Sequence, residues 1–214
     1  MARYLLYGFG VLTAGWGVHE AFSVRPDLLA LVHFVYVILM AALVMRLRVA
    51  LDRERALART DVLTGVPNRR TFMEAADARI RRMGRDGAPC TVLYLDIDGF
   101  KAINDHQGHA VGDTVLRAVA QTLAAQVRGC DIVARLGGDE FAVLLEGALA
   151  EPVIFRVRAA LRSLARERGW QVGFSIGAVT FTAPPASAEE MLGRTDAAMY
   201  AAKQQGDHIV FRVA

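Results

Sequence analysis

Lysine is nearly missing from this chain. Of 25 basic residues only Lys101 and Lys203 are lysine; the other 23 are arginine. Cysteine is as scarce, with Cys90 and Cys130 alone. They form no CxxC pair, which excludes a disulfide scaffold and a cysteine-based zinc site. Both lie beside apolar stretches and read as buried free thiols. There is no internal repeat and no low-complexity tract. At 22% charged and 54% hydrophobic residues the chain is neither disordered nor fibrous. Its 214 residues fit one ordinary domain with a short extension and can bury a real core. A mean hydropathy of +0.29 is high for a soluble protein, so part of the excess belongs in a membrane segment.

Charge is uneven. Residues 46–85 hold eleven arginines against five acids, a net of +6, whereas the whole chain carries +3. A nucleic acid could bind such a stretch. Because it follows directly on an apolar segment, an anionic membrane surface is the simpler partner, and no nucleic acid is expected.

Leu28–Met45 is eighteen residues without a formal charge, the length of a transmembrane helix candidate. Tyr4–Val18 is shorter and spans only if it runs on to Val24. Arg25-Pro26-Asp27 makes the turn between them. Arginines crowd after the second segment, which places both termini in the cytoplasm by the positive-inside rule. A two-helix transmembrane hairpin over 1–45 is therefore expected, at a bacterial-type inner membrane. Gly8, Gly10, Gly15 and Gly17 would permit close helix packing. A cleaved signal peptide lacks its A-x-A-like site, and a soluble helical pair is the other alternative. Residues 46–60 read as a linker helix carrying the second span into the cytoplasm, long enough for about two heptads of coiled coil.

From about residue 61 to 214 helix and strand patterns alternate. Helices are expected over Asn68–Met83, Val111–Arg128, Glu151–Arg168 and Glu189–Gln205, and a short helix or turn over Gly99–Asp105. Strands are expected over Cys90–Ile97, Asp131–Leu136, Glu140–Leu145, Gln171–Phe181 and His208–Val213. Gly137-Gly138 is the tight turn of a hairpin. Gly173 and Gly177 mark bends or a close approach. One α+β domain follows.

Its acids fall at strand ends. Asp96 and Asp98 close the first strand; Asp139 and Glu140 open the strand after the Gly-Gly turn. Carboxylates there are costly unless paired or metal-bound. Antiparallel pairing of these two strands would bring them together. Hard oxygen ligands without His or Cys suit Mg²⁺ or Mn²⁺. Solvated turn acids are the other reading. Lys101, five residues after Asp96, and Lys203, ending an Ala-rich helix, are compact point charges suited to phosphate.

Arg135-Leu-Gly137-Gly138-Asp139-Glu140-Phe141 resembles the signature of the GGDEF family of diguanylate cyclases. Five further motifs follow the family's order. They are Asp61-Val-Leu-Thr-Gly-Val-Pro-Asn68-Arg69-Arg70, Asp96-Ile97-Asp98-Gly99-Phe100-Lys101-Ala-Ile-Asn104-Asp105, Gly108-His109-Ala-Val-Gly112-Asp113, Ser175-Ile176-Gly177, and Asp196-Ala-Ala-Met-Tyr200-Ala-Ala-Lys203. The resemblance covers about residues 60–214.

That resemblance implies a fold like the palm of nucleotidyl cyclases, with a mostly antiparallel central sheet flanked by helices. It implies condensation of two GTP into cyclic di-GMP with release of two pyrophosphates, by a homodimer whose protomers each hold one GTP. By the match, Asp96, the Ile97 carbonyl and Asp139 would hold two Mg²⁺ or Mn²⁺. Asp139 or Glu140 would be the general base. Asn104 and Asp113 would read the guanine edge. Lys101 and Lys203 would meet phosphates and developing charge. Gly137 and Gly138 would let the backbone approach the nucleotide. Phe100 belongs to the nucleotide loop, although Phe100, Phe141 and Tyr200 also read as packing residues. His106 and His109 read as loop hydrogen-bond formers and Trp170 as core. Arg128-Gly-Cys-Asp131 resembles the family's R-x-x-D inhibitory site, which implies product inhibition by cyclic di-GMP. One departure follows Lys203: the family usually continues Gly-Arg-Asn, and here Gly206 is followed by Asp207-His208. An acid there would repel phosphate. Asp207 is the feature that favours a second reading, a non-catalytic cyclic di-GMP receptor.

Overall fold

The computed structural model describes residues 26–57, 59–147, 151–205 and 209–214. It divides into two units, Met1–Leu57 and Ala58–Ala214, each described by itself.

In the first unit, helix α1 spans Pro26–Leu57. Its stretch Ala30–Val49 has a mean hydropathy of 2.2, and none of it is buried. Leu31, Phe34, Val37, Leu39 and Met45 each leave more than half their surface open. This helix is long and apolar enough to cross a membrane. It runs unbroken from the expected second span into the expected linker, because no Gly or Pro interrupts Leu28–Leu57. The expected first span, Tyr4–Val18, lies outside the described residues. So does Asp207.

In the second unit, α2 (Arg69–Asp86) starts where the Asn68 side chain accepts from the Thr71 amide at 3.0 Å. It stops at Gly87, whose φ of 66° suits a residue without Cβ. β1 (Cys90–Asp98) follows, then α3 (Phe100–Gln107), α4 (His109–Ala125), the hairpin β2 (Ile132–Gly137) and β3 (Glu140–Glu146), and α5 (Glu151–Arg168). β4 (Gly173–Phe181), α6 (Ala188–Gln205) and β5 (Ile209–Val213) complete it. The strands form one sheet in the order β2-β3-β1-β4-β5. Every pairing is antiparallel except β4 with β5, so the sheet is mixed and the fold α+β.

β1 is central and buried on both faces, which is why its sequence is a continuous apolar run. Its odd residues Leu93, Leu95 and Ile97 pack with α4 and α5 through Val115, Val119, Leu123, Ile154, Val157 and Leu161. Its even residues Cys90, Val92 and Tyr94 pack with α2 and α6 through Phe72, Ala76, Met83, Met191 and Met199. Phe72, Phe141 and Phe181 are fully buried, each worth roughly 2–3 kcal/mol of transfer free energy.

Gly177 marks a close approach. A Cβ there would fall on the Met199 amide nitrogen, 2.6 Å from the Met199 Cα and the Thr195 carbonyl. α6 thus lies backbone against strand on β4, and Lys203 follows one turn further along it.

Several expectations are corrected. Cys90 is buried, but Cys130 is exposed, because it sits in the turn before β2 rather than in the apolar strand itself. Tyr200 is 60% exposed, on the outer face of α6. Trp170 precedes β4 and packs against the main core as expected, but half-buried, with the Arg168 guanidinium 5.9 Å from its ring centre. His106 and His109 lie in α3 and α4 rather than in a loop, and both are exposed.

Candidate active site

Period-two alternation places Tyr94, Asp96 and Asp98 on one face of β1. Asp96 stands opposite Glu140 of β3 on one side and Ser175 of β4 on the other. The expected antiparallel meeting of the two acidic strand ends is thus observed. It arises because β1 ends where β3 begins.

Lys203 closes this cluster. Its Nζ donates to Asp96 Oδ1 at 2.6 Å and lies 3.7 Å from Asp98 Oδ1. Ser175 Oγ donates to both Asp98 oxygens at 3.0 and 2.9 Å. Asp98 is therefore held by a serine of the adjacent strand β4, 77 residues later in sequence, and Lys203 by two acids at once. The Tyr94 hydroxyl lies close enough to Glu140 to favour its ionised form. Tyr94 opposes Ala142, so Glu140 is its diagonal cross-strand neighbour.

The electrostatics is that of a crowded anionic site. Burial pushes the Asp139 carboxyl up, and the Asp96 charge adds to this. Glu140 is also pushed up, first by burial, then by Asp96, Asp196 and Asp139, against the Tyr94 hydrogen bond. The Tyr94 hydroxyl is pushed far up by burial and by Glu140 and Asp196. The Lys203 ammonium is held above its usual range, chiefly by its hydrogen bond to Asp96, against partial burial.

This donor set fits a hard divalent cation. It offers oxygen only, and burial with neighbouring negative charge raises Asp139 and Glu140. Among the described residues no three His, Cys, Asp or Glu side chains already converge as a ligand set. Asp96 and Asp139 would hold the ion together with the Ile97 carbonyl.

The Gly-Gly turn beside these acids is positioned from outside. Gly138 has φ of 50° and Gly137 has φ of 154°, and a Cβ on either would meet nothing within 4 Å. Conformation, together with open space for a ligand, accounts for this pair. Arg135 carries the turn: its Nε and Nη2 donate to the Gly138 carbonyl at 2.9 and 2.6 Å. Its Nη1 reaches Asp61 at 3.1 and 3.3 Å. Asp61 Oδ1 also accepts from the Thr64 amide and hydroxyl at 2.9 and 2.6 Å. Burial opposes ionisation of Asp61, but Thr64 and Arg135 outweigh it and hold the carboxyl below its usual range.

Other expected residues lie on the helices that follow β1. Lys101 is exposed on the first turn of α3. Asn104 and Phe100 are half-buried on the same helix. Asp113 is half-buried on α4, 3.9 Å from Arg117 one turn on.

Arg128 and Asp131 do not join this group. They precede β2, at the opposite end of the hairpin from the Gly-Gly turn, Asp131 lying six residues or roughly 20 Å from Gly137. Asp131 Oδ2 accepts from the Arg128 amide at 2.9 Å, and its Oδ1 from the Glu146 amide at 3.0 Å. Both residues line a shallow cavity of about 210 Å³ with Val66, Pro67, Val127 and Val133.

Tyr94, Asp61 with Arg135, and Ser175 with Asp98 had no assigned role in the sequence. The alternation along β1 was signal enough to place Tyr94 beside Asp96. Nothing in the sequence spacing joins Asp61 to Arg135.

A family model described as "Diguanylate cyclase, GGDEF domain" matches residues 58–208. The bifunctional diguanylate cyclase/cyclic di-GMP phosphodiesterase MucR of Pseudomonas aeruginosa is 38% identical over 70% of this chain and 23% of its own length. The response regulator PleD of Caulobacter vibrioides is 37% identical over 77% of this chain and 38% of its own. The chain thus spans well under half the length of these relatives. Among solved structures, the diguanylate cyclase SiaD of Pseudomonas aeruginosa, in complex with its activator SiaC, is 31% identical. It aligns with a TM-score of 0.67 over 98% of this chain and 82% of that one. The coiled coil and GGDEF domain of DgcB from Caulobacter crescentus, in complex with c-di-GMP, gives 29% identity and 0.66 over 84% and 98%.

Proposed function

Because the chain belongs to the GGDEF diguanylate cyclase domain family, we propose that it condenses two GTP into cyclic di-GMP and two pyrophosphates, each protomer of a homodimer holding one GTP. The observation that carries this reading is the Asp96–Glu140 register, with Asp139 in the adjoining turn and Lys203 closing the cluster.

The residues divide the work by position. Asn104 and Asp113, on the helices beyond β1, bind the guanine edge, the Asp accepting from N1–H and the 2-amino group. Gly137 and Gly138 leave room for phosphates against the backbone. Asp96, Asp139 and the Ile97 carbonyl hold Mg²⁺ or Mn²⁺, two ions per site. When bound, the metal supplies charge neutralisation at the α-phosphate and pyrophosphate and eases ionisation of the attacking 3′-hydroxyl. Asp139 or Glu140 takes the 3′-hydroxyl proton; carboxyls raised by burial are better acceptors than ordinary ones. Lys101 and Lys203 bind phosphate oxygens as negative charge shifts to the departing pyrophosphate. Lys203 then exchanges its carboxylate partner for phosphate.

Arg128 and Asp131 bind the product at the far end of the hairpin and limit synthesis. α1 anchors the protein in an inner membrane with the catalytic domain in the cytoplasm, as one half of a two-helix hairpin. Domains then run 1–45, 46–60 and 61–214.

The test incubates the full chain in lipid nanodiscs with GTP and Mg²⁺ and measures pyrophosphate and dinucleotide by chromatography. Cyclic di-GMP from the wild type and none from Asp139→Ala, with product binding retained, is expected. Equal synthesis by Asp139→Ala would remove the metal assignment. A folded dimer that binds cyclic di-GMP but makes none would favour the receptor reading.

A further inference from the structure

Gly112 sits in the first turn of α4 and is buried. Its backbone is ordinary helix, so no conformational demand selects glycine there. A glycine inside a helix lowers its stability relative to alanine. What excludes a side chain is space. A Cβ at 112 would fall on Asn104 Oδ1, 3.0 Å from Asn104 Cγ and 3.2 Å from Phe100 Cζ. The Asn104 carboxamide therefore lies directly on the bare Cα of Gly112, with the Phe100 ring beside it.

Backbone hydrogen bonds hold this arrangement. The Gly108 amide donates to the Asn104 carbonyl at 3.0 Å, and the Gly112 amide donates to the Gly108 carbonyl at 3.3 Å. The end of α3 is thereby tied to the start of α4, and Asn104 faces Gly112 across the joint. Asp113, the second residue assigned to the base, follows Gly112 directly.

We propose that Gly112 is a specificity-positioning residue: its missing side chain is the seat that orients the Asn104 carboxamide toward the guanine edge. This rests on the reading of Asn104 as a GTP contact. A methyl group at 112 must turn the carboxamide away, with a smaller shift of the Phe100 ring, while Asp113 and the helix backbone stay. Hydrogen bonds weaken steeply once their angle is lost, and a site built to bond a substrate group loses discrimination when that bond is lost.

The experiment compares wild type, Gly112→Ala, Asn104→Ala and the double variant as full chains in nanodiscs. It uses GTP and ATP, whose adenine presents none of guanine's O6, N1–H and 2-amino groups. Gly112→Ala should raise the GTP KM about tenfold, change kcat less than about threefold, and narrow the preference for GTP. Asn104→Ala should do the same. The double variant should match Asn104→Ala alone, since residues acting through one contact are non-additive. Penalties that multiply, or an unchanged KM in Gly112→Ala, overturn the proposal while leaving the functional reading intact. An unchanged KM in Asn104→Ala, or no GTP binding by the wild type, overturns both. If Gly112→Ala alone does not fold, the double variant decides, because removing the carboxamide opens the space. Failure of that variant to fold places the clash elsewhere and overturns the proposal.

Discussion

Arg135 joins the Asp61 motif to the Gly-Gly turn: one guanidinium nitrogen binds Asp61, and the other two hold the Gly138 carbonyl. The Asp61 and Arg135 side chains are only 24% and 13% exposed, so this pair is screened less than a surface one. The Gly-Gly turn thus takes its position from a segment 74 residues earlier.

Asp61→Asn should therefore weaken both fold and turnover. Breaking a partly buried pair costs on the order of 2–3 kcal/mol, and a turn displaced by about 1 Å can lose roughly a hundredfold in rate. The pH sign follows from the carboxyl's lowered pKa. The stabilisation is present above the ordinary carboxylate range and lost as pH falls through the folded value. Thermal melts from pH 7 down to 3 should show a smaller acid-induced drop in Asp61→Asn than in wild type.

Lys203 is the internal counter-ion of Asp96 and Asp98. Lys203→Gln should leave these acids uncompensated. Without divalent ion the variant should melt below wild type. Mg²⁺ alone should then raise its melting temperature more than it raises that of wild type, while the GTP KM increases. Because the Lys203 pKa is raised, its contribution is complete below the ordinary lysine range and lost as pH rises through the folded value. Equal Mg²⁺ shifts in the two proteins would sink this account.

Arg128 and Asp131 should separate in a stability assay. Arg128 serves the fold through its backbone, its amide donating to Asp131 Oδ2 and its carbonyl accepting from the Asp131 amide, and the residue is exposed. Asp131 accepts two backbone amides. Arg128→Ala should lose cyclic di-GMP binding by calorimetry with an unchanged melting temperature. Asp131→Ala should lose binding and also about 1–2 kcal/mol of stability.

Gly177→Ala should cost roughly 1–3 kcal/mol or more, because α6 must lift off β4 to admit the methyl group. Lys203 rides on that helix, so the GTP KM should rise with the loss of stability. Urea unfolding together with initial rates would measure both.

Element types were legible along most of the chain. β1 announced itself as an apolar run because it is buried on both faces. The start of α2 was placed at Asn68, which the structure shows to be its cap, and the β2–β3 hairpin was marked by Gly137-Gly138. Burial of single residues was less legible. Cys130 and Tyr200 neighbour apolar residues in sequence yet face solvent, since a turn or an outer helix face breaks the link between sequence neighbourhood and core.

The sequence by itself determined which residues are proposed for the chemistry, because ligand type, charge and motif order are local properties. It also determined that Asp96 and Glu140 would meet if their strands paired antiparallel. Only the tertiary structure decided that Lys203 sits on Asp96, that Arg135 ties Gly138 to Asp61, and that Gly112 carries Asn104. These relations depend on sheet order and on how closely helices approach one another, which packing of the whole chain sets and no local spacing records.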